Sequence, residues 1–187
     1  MGLLFNGPEM LMRFRLCVVM LLSACTLSAC TGVPKGIEPV KNFDLDQYLG
    51  TWYEIARLDH FFERGLSNVS AQYTLADNGD VVVTNRGYSA SKNQWKEAIG
   101  RAKFKGESDT AHLKVSFFGP FYASYVVFEL DDYQQAFVVG NKRKFLWYLS
   151  RTPSVSESDR EIFLQKVKSM GFDVADLIWV EQEDPVQ

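Results

Sequence analysis

Between Trp52 and Arg151 the chain is cut into short extended segments, and this punctuation limits its fold more than any other feature. Trp52–Leu58, Asn68–Leu75, Val81–Asn85, Gln94–Phe104, His112–Phe117, Tyr122–Leu130, Gln134–Gly140 and Phe145–Arg151 read as eight strands. Turn-forming residues separate them: Asn78-Gly79, the polar run Ser89 to Asn93, Gly119-Pro120, and Asn141 to Lys144. Residues 112–117 alternate cleanly, with His112, Lys114 and Ser116 on the face expected to be wet and Leu113, Val115 and Phe117 on the buried one. Eight successive strands with short connections favour an all-β, antiparallel up-and-down barrel, because closure removes exposed edges. An eight-stranded interior is wide enough to be packed by side chains or to hold one small ligand.

A helix follows the strands. Ser154 with Glu157 has capping-box spacing, and Ser156 with Asp159 is the second choice. Phe163, Val167 and Met170 fall on one helical face, and Gly171 stands where a helix stops. The helix is expected to pack outside the barrel, followed by a last short strand, Leu177–Val180.

The start of the chain has another character. Arg13 and Arg15 precede the apolar run Leu16 to Leu22, which is too short to span a bilayer, and small residues follow. This is the pattern of a secretory signal, with Met10 or Met12 a candidate start. The word Leu-Ser-Ala-Cys occurs at 22–25 and again at 27–30. It resembles the lipobox of bacterial lipoproteins, in which the cysteine is lipidated and becomes the mature N-terminus. Cys30 is the preferred site, because it leaves a longer apolar core than Cys25 does. Residues 1–29 then form a signal peptide, 30–40 a tether from lipidated Cys30, and 41–187 the folded domain. Residue 31 is Thr, where the retention signal of enteric inner-membrane lipoproteins usually has Asp. By that resemblance the expected location is the bacterial outer membrane, facing the periplasm.

Removing residues 1–29 leaves 158 residues, with 18 basic against 22 acidic side chains and no cysteine beyond Cys30. Disulfides, thiol nucleophiles and thiolate metal sites are thereby excluded from the domain, and no metal is expected. The acidic balance also argues against nucleic acid as a partner.

Gly50-Thr51-Trp52, followed by Tyr53-Glu54-Ile55-Ala56-Arg57, resembles the opening Gly-x-Trp motif of the lipocalin family. Leu149-Ser150-Arg151 resembles the family's closing arginine, and Asp131-Asp132-Tyr133 departs at one position from its usual Thr-Asp-Tyr. Phe62 to Gly65 and Lys114 to Pro120 are similar to the bacterial, apolipoprotein-D-like branch. The resemblance runs from Asn42 to Val180 and implies the eight-stranded barrel reached above. Trp52 and Arg151 are expected to stack as a structural latch at one barrel end, worth about 0.5–2 kcal/mol.

Period-two parity selects the inward positions. Trp147 and Leu149 share the face of Arg151, and Glu54 and Ala56 share that of Trp52. Val115 and Phe117 belong to the apolar face of their strand. The family resemblance adds Tyr73 and Asn85 to the ligand-contact set and marks Phe117 and Trp147 again. Glu54 requires a partner if buried. Phe61 and Phe62 leave two readings: folded inward as a lid, or standing at the mouth to touch a membrane or gate an acyl chain.

The expected function is that of a membrane-anchored carrier holding a fatty acid or lysophospholipid, for transport, storage or envelope maintenance. The alternatives are a haem or other hydrophobic carrier using a histidine such as His60, and an enzyme of lipocalin type. Catalysis is the poorest of these, since the domain has no cysteine and only His60 and His112. The sequence leaves monomer and homodimer open.

Overall fold

The computed structural model describes residues 31–183. Cys17, Cys25, Cys30 and the signal segment lie outside the described residues.

A single helical turn, α1 (Leu45–Tyr48), is capped by the Asp44 side chain, which accepts from the Asp46 amide. The chain then enters β1 (Gly50–Leu58), β2 (Leu66–Leu75), β3 (Val81–Ser89), β4 (Gln94–Phe104), β5 (His112–Phe118), β6 (Phe121–Asp131), β7 (Gln135–Val139) and β8 (Leu146–Ser150). Each strand pairs antiparallel with the next, and β1 pairs with both β2 and β8, closing the barrel. Helix α2 (Glu157–Ser169) and the short β9 (Leu177–Trp179) follow, with β9 on the upper part of β1.

Alternating side chains form two apolar clusters. One packs inside the barrel and includes Trp52, Tyr73, Val83, Leu113, Val127, Val138 and Leu149. The other lies outside, where Phe163 and Val167 of α2 pack on Ile55, Val126, Phe128, Phe137 and Tyr148. Phe163 stacks on Tyr148 at 4.7 Å and meets Phe137 edge-on at 4.9 Å. The helix face anticipated from its periodicity is therefore the one that docks. Gly171 ends the helix with φ of 77°, a conformation that favours glycine.

The helix start differs from the first choice. Ser156, not Ser154, is the N-cap, in a reciprocal capping box with Asp159. Ser154 belongs to the preceding turn, where its carbonyl accepts from the Thr152 hydroxyl at 2.7 Å.

His112 also departs from expectation. It points away from the lumen, as parity requires, yet it is buried, with Nε2 2.9 Å from the Ser124 hydroxyl. What covers it is the N-terminal segment: Thr31 is buried there, its carbonyl accepting from Lys105. Residues 31–41 lie against the barrel rather than extending from it. Val33 and Ile37 pack on the outer cluster, and the Val40 amide donates to the Val127 carbonyl at 2.9 Å. Two glycines and two prolines signalled a tether, but Val33, Ile37 and Val40 are apolar enough to dock it.

The up-and-down order fixes which loops share an end. Connections after β1, β3, β5 and β7 lie at one end; those after β2, β4 and β6, together with α1, lie at the other.

Candidate ligand site

The α1 end is sealed. The Arg151 guanidinium lies 3.9 Å from the Trp52 ring centroid and donates to the carbonyls of Tyr133, Thr51 and Gln47 at 3.1, 3.0 and 2.6 Å. The Trp52 indole donates to the Tyr48 carbonyl at 2.8 Å. Above this latch the Tyr125 hydroxyl bridges those of Tyr48 and Tyr73, at 2.7 and 2.8 Å. Burial pushes all three phenols above their usual range, so each stays protonated and the triad remains a neutral floor.

Toward the other end, inward-facing positions are reached by solvent. Asn85 stands between Ala71 and Ala98 across the sheet, and Val115 lies opposite both Ala102 and Ala123. Ala98 and Ala123 are exposed although they face inward, while Asn85, Val115, Phe117 and Trp147 are half-buried. Small side chains at 71, 98 and 123 keep these inward positions short, and the space beside Gly100 is taken by another residue. Gly100 matters most, because a Cβ there would come within 2.8 Å of the Phe117 ring and 2.9 Å of the Ser116 carbonyl. The Phe117 ring therefore lies over bare backbone.

Seven of the eight positions expected to contact a ligand do face the interior: Glu54, Tyr73, Asn85, Val115, Phe117, Trp147 and Leu149. Tyr73 and Leu149 lie in the filled cluster, whereas the other apolar members line its partly buried margin. Ala56 is the correction. The register shifts between Glu54 and Ala56, so Ala56 pairs with Tyr148 and joins the outer cluster, while Arg57 pairs with Trp147 and takes the inner face. One inserted residue reverses every later side chain in a strand, and strict alternation is blind to it.

That bulge supplies the missing partner of Glu54. Arg57 Nη1 donates to Glu54 Oε1 at 2.6 Å, and Nη2 donates to the Glu63 and Leu66 carbonyls. Glu63 turns inward from the β1–β2 loop, where it accepts from the Trp147 indole at 3.2 Å and lies 3.0 Å from His60 Nε2. Burial, reinforced by the Glu63 charge, pushes Glu54 well above the ordinary carboxylate value and overrides Arg57. Burial raises Glu63 too, but His60, Trp147 and Arg57 together outweigh it and hold Glu63 low. Arg57 thus meets the carboxylate of Glu54 and only the backbone of Glu63, whose own carboxylate faces His60 and Trp147. Sequence reasoning missed Arg57 and Glu63. The charge-rich spacing of Glu54, Arg57, His60 and Glu63 was the available signal, and it needed the bulge to be read.

The two readings of Phe61 and Phe62 are also resolved. His60 and Glu63 fold inward, while Phe61 is 81% exposed and Phe62 49%. The phenylalanines stand at the mouth.

A family model described as a lipocalin-like domain matches residues 43–182. The chain is a lipocalin. Among relatives of this lipocalin, the outer membrane lipoprotein Blc of Vibrio cholerae is 51% identical over 168 residues, covering 89% of this chain and 98% of the relative. The protein of the same name from Escherichia coli K12 is 47% identical, covering 91% and 98%. Apolipoprotein D of Mus musculus is 30% identical, covering 88% and 96%. Insecticyanin of the tobacco hornworm Manduca sexta has the same fold, with a TM-score of 0.66 at 21% identity over 82% of this lipocalin and 88% of that chain.

Proposed function

We propose that this lipocalin is a bacterial outer-membrane lipoprotein, anchored through Cys30, that carries a fatty acid or lysophospholipid in the open half of its barrel. The observation that carries the reading is the division of the interior. A hydroxyl-bonded floor closes it on one side, and on the other the inward-facing Ala98 and Ala123 are exposed while Val115, Phe117 and Trp147 are only half-buried. Burying about 14 methylenes contributes on the order of 11 kcal/mol. Against an association cost of roughly 4–15 kcal/mol, that suffices for a micromolar complex without a strong polar contact. The names of the relatives from Vibrio cholerae and Escherichia coli support the location.

Native mass spectrometry of the purified protein tests the guest. Retained or added lipid of one-chain mass is expected, and Ala98→Phe is expected to reduce it while leaving the melting temperature in place. A protein that takes up no lipid under mild conditions refutes the proposal. The haem alternative loses ground on geometry, since His60 Nε2 already faces Glu63 and its ring stacks on Phe62 at 4.0 Å.

A further inference from the structure

The two ends of the barrel carry opposite charge. At the closed end, four places bear two acids apiece: Asp44 and Asp46 at α1, Asp77 and Asp80 after β2, Glu107 and Asp109 after β4, and Asp131 and Asp132 after β6. The cations at this end are Lys41, Lys105 and the latch residue Arg151, with Lys103 paired to Asp80 from the side. At the mouth the balance reverses. The β7–β8 loop carries Lys142, Arg143 and Lys144 with no acid, the β3–β4 turn carries Lys92 with no acid, and Lys96 is exposed just beyond it. The acids of the β1–β2 loop are Asp59, paired with Arg64, and Glu63, buried beneath His60 and Trp147; exposed Glu97 follows Lys96, and exposed Asp176 precedes Leu177, which pairs with Leu58 beside that loop. A chain of net charge −3 therefore presents a cationic rim around its opening.

Aromatic side chains project through that rim. Phe61 at the first loop and the pair Phe118 and Phe121 at the β5–β6 turn are 81, 81 and 74% exposed, with Phe62 beside them. Phe118 and Phe121 sit directly opposite each other across the turn. The first loop is not exposed by default, since Arg57 holds the Glu63 and Leu66 carbonyls and Trp147 holds the Glu63 carboxylate. Its underside is fastened while Phe61 points out and Phe62, stacked on His60, is half exposed beside it. Exposed apolar rings within a basic rim match a membrane interface in both layers: rings enter the headgroup level and cations meet anionic phosphates.

We infer that the open end of the barrel docks, mouth first, on the surface of a bilayer containing anionic phospholipid, through Phe61, Phe62, Phe118 and Phe121 with Lys92, Lys142 and Lys144. The acidic closed end is repelled by the same surface, so the charge distribution orients the molecule as well as attracting it. A guest then passes between bilayer and lumen without crossing bulk water. The docking does not require that the guest be lipid, and it is measured apart from guest binding.

The test uses the full chain as processed in its own cells, carrying Phe61→Trp, reconstituted into vesicles whose acyl chains are brominated. Vesicles of phosphatidylcholine alone are compared with vesicles also containing phosphatidylglycerol, so that any N-terminal anchor is common to both. The expected result is extra quenching over the wild-type protein, stronger with the anionic lipid and weakened by salt. Lys142→Glu with Lys144→Glu should reduce the docked fraction by about fivefold or more for each charge. Phe118→Ser with Phe121→Ser should also reduce it while thermal melting stays unchanged. No added quenching on anionic vesicles overturns the inference. So does quenching indifferent to both sets of substitutions, or cross-linking that shows the rim closed against a second copy of this chain.

Discussion

The indole of Trp147, on the last barrel strand, donates to the carboxylate of Glu63 in the loop after the first strand, at 3.2 Å. The bond ties the loop at the mouth to the wall of the lumen, within a buried group that includes Arg57 and His60. Replacing Trp147 with Phe keeps the ring and removes the donor. A fluorescent fatty acid is expected to leave that variant about tenfold or more faster, as the loss of about 1.5–3 kcal/mol from a hydrogen bond to a charged group implies. Stopped-flow release at equal protein stability checks this, and an unchanged rate denies the tie.

Glu63 gives a pH dependence with a definite sign. Its folded-state pKa lies below the ordinary 4.5, so its contribution is present above that value and lost as pH falls through the folded one. Glu54 works oppositely: its raised value makes its contribution complete at low pH and lost as pH rises. Glu63→Gln is expected to cost about 1–3 kcal/mol at neutral pH. The gap to wild type should narrow as the solution is acidified through the carboxylate range. Calorimetry across pH reads the gap, and a constant difference contradicts the assignment.

Arg151→Ala removes three hydrogen bonds to backbone carbonyls and the stack on Trp52. A loss of about 2–4 kcal/mol is expected, with guest affinity little changed because the latch lies below the tyrosine floor. Denaturant unfolding and lipid titration of the same variant separate the two effects. Equal stability would show that the barrel end closes without it.

Tyr125→Phe leaves the buried hydroxyls of Tyr48 and Tyr73 without their shared partner. The expected cost is about 1–3 kcal/mol. The double variant that also carries Tyr73→Phe should recover part of it. A double-mutant cycle with no coupling would mean that the triad is not one unit.

Much of this molecule was legible in the order of its residues. Period-two alternation placed Leu113, Val115 and Phe117 inside, turn chemistry separated the strands, and Phe163 with Val167 marked the docking face of α2. These are local signals, because a strand exposes its two faces in turn and a helix repeats every 3.6 residues. The sequence alone also separated Trp52 and Arg151 as partners, by motif rather than by distance. Tertiary structure decided where those local rules break. The bulge after Glu54 moved Ala56 outward and brought Arg57 in, since register belongs to two paired strands and not to one. His112 kept its outward direction yet lost its water, because Thr31 lies against it. The rim of lysines and phenylalanines around the mouth emerged only when loops distant in sequence were gathered at one end. Charge at an interface is a sum over neighbours in space, which barrel closure determines and no stretch of chain contains.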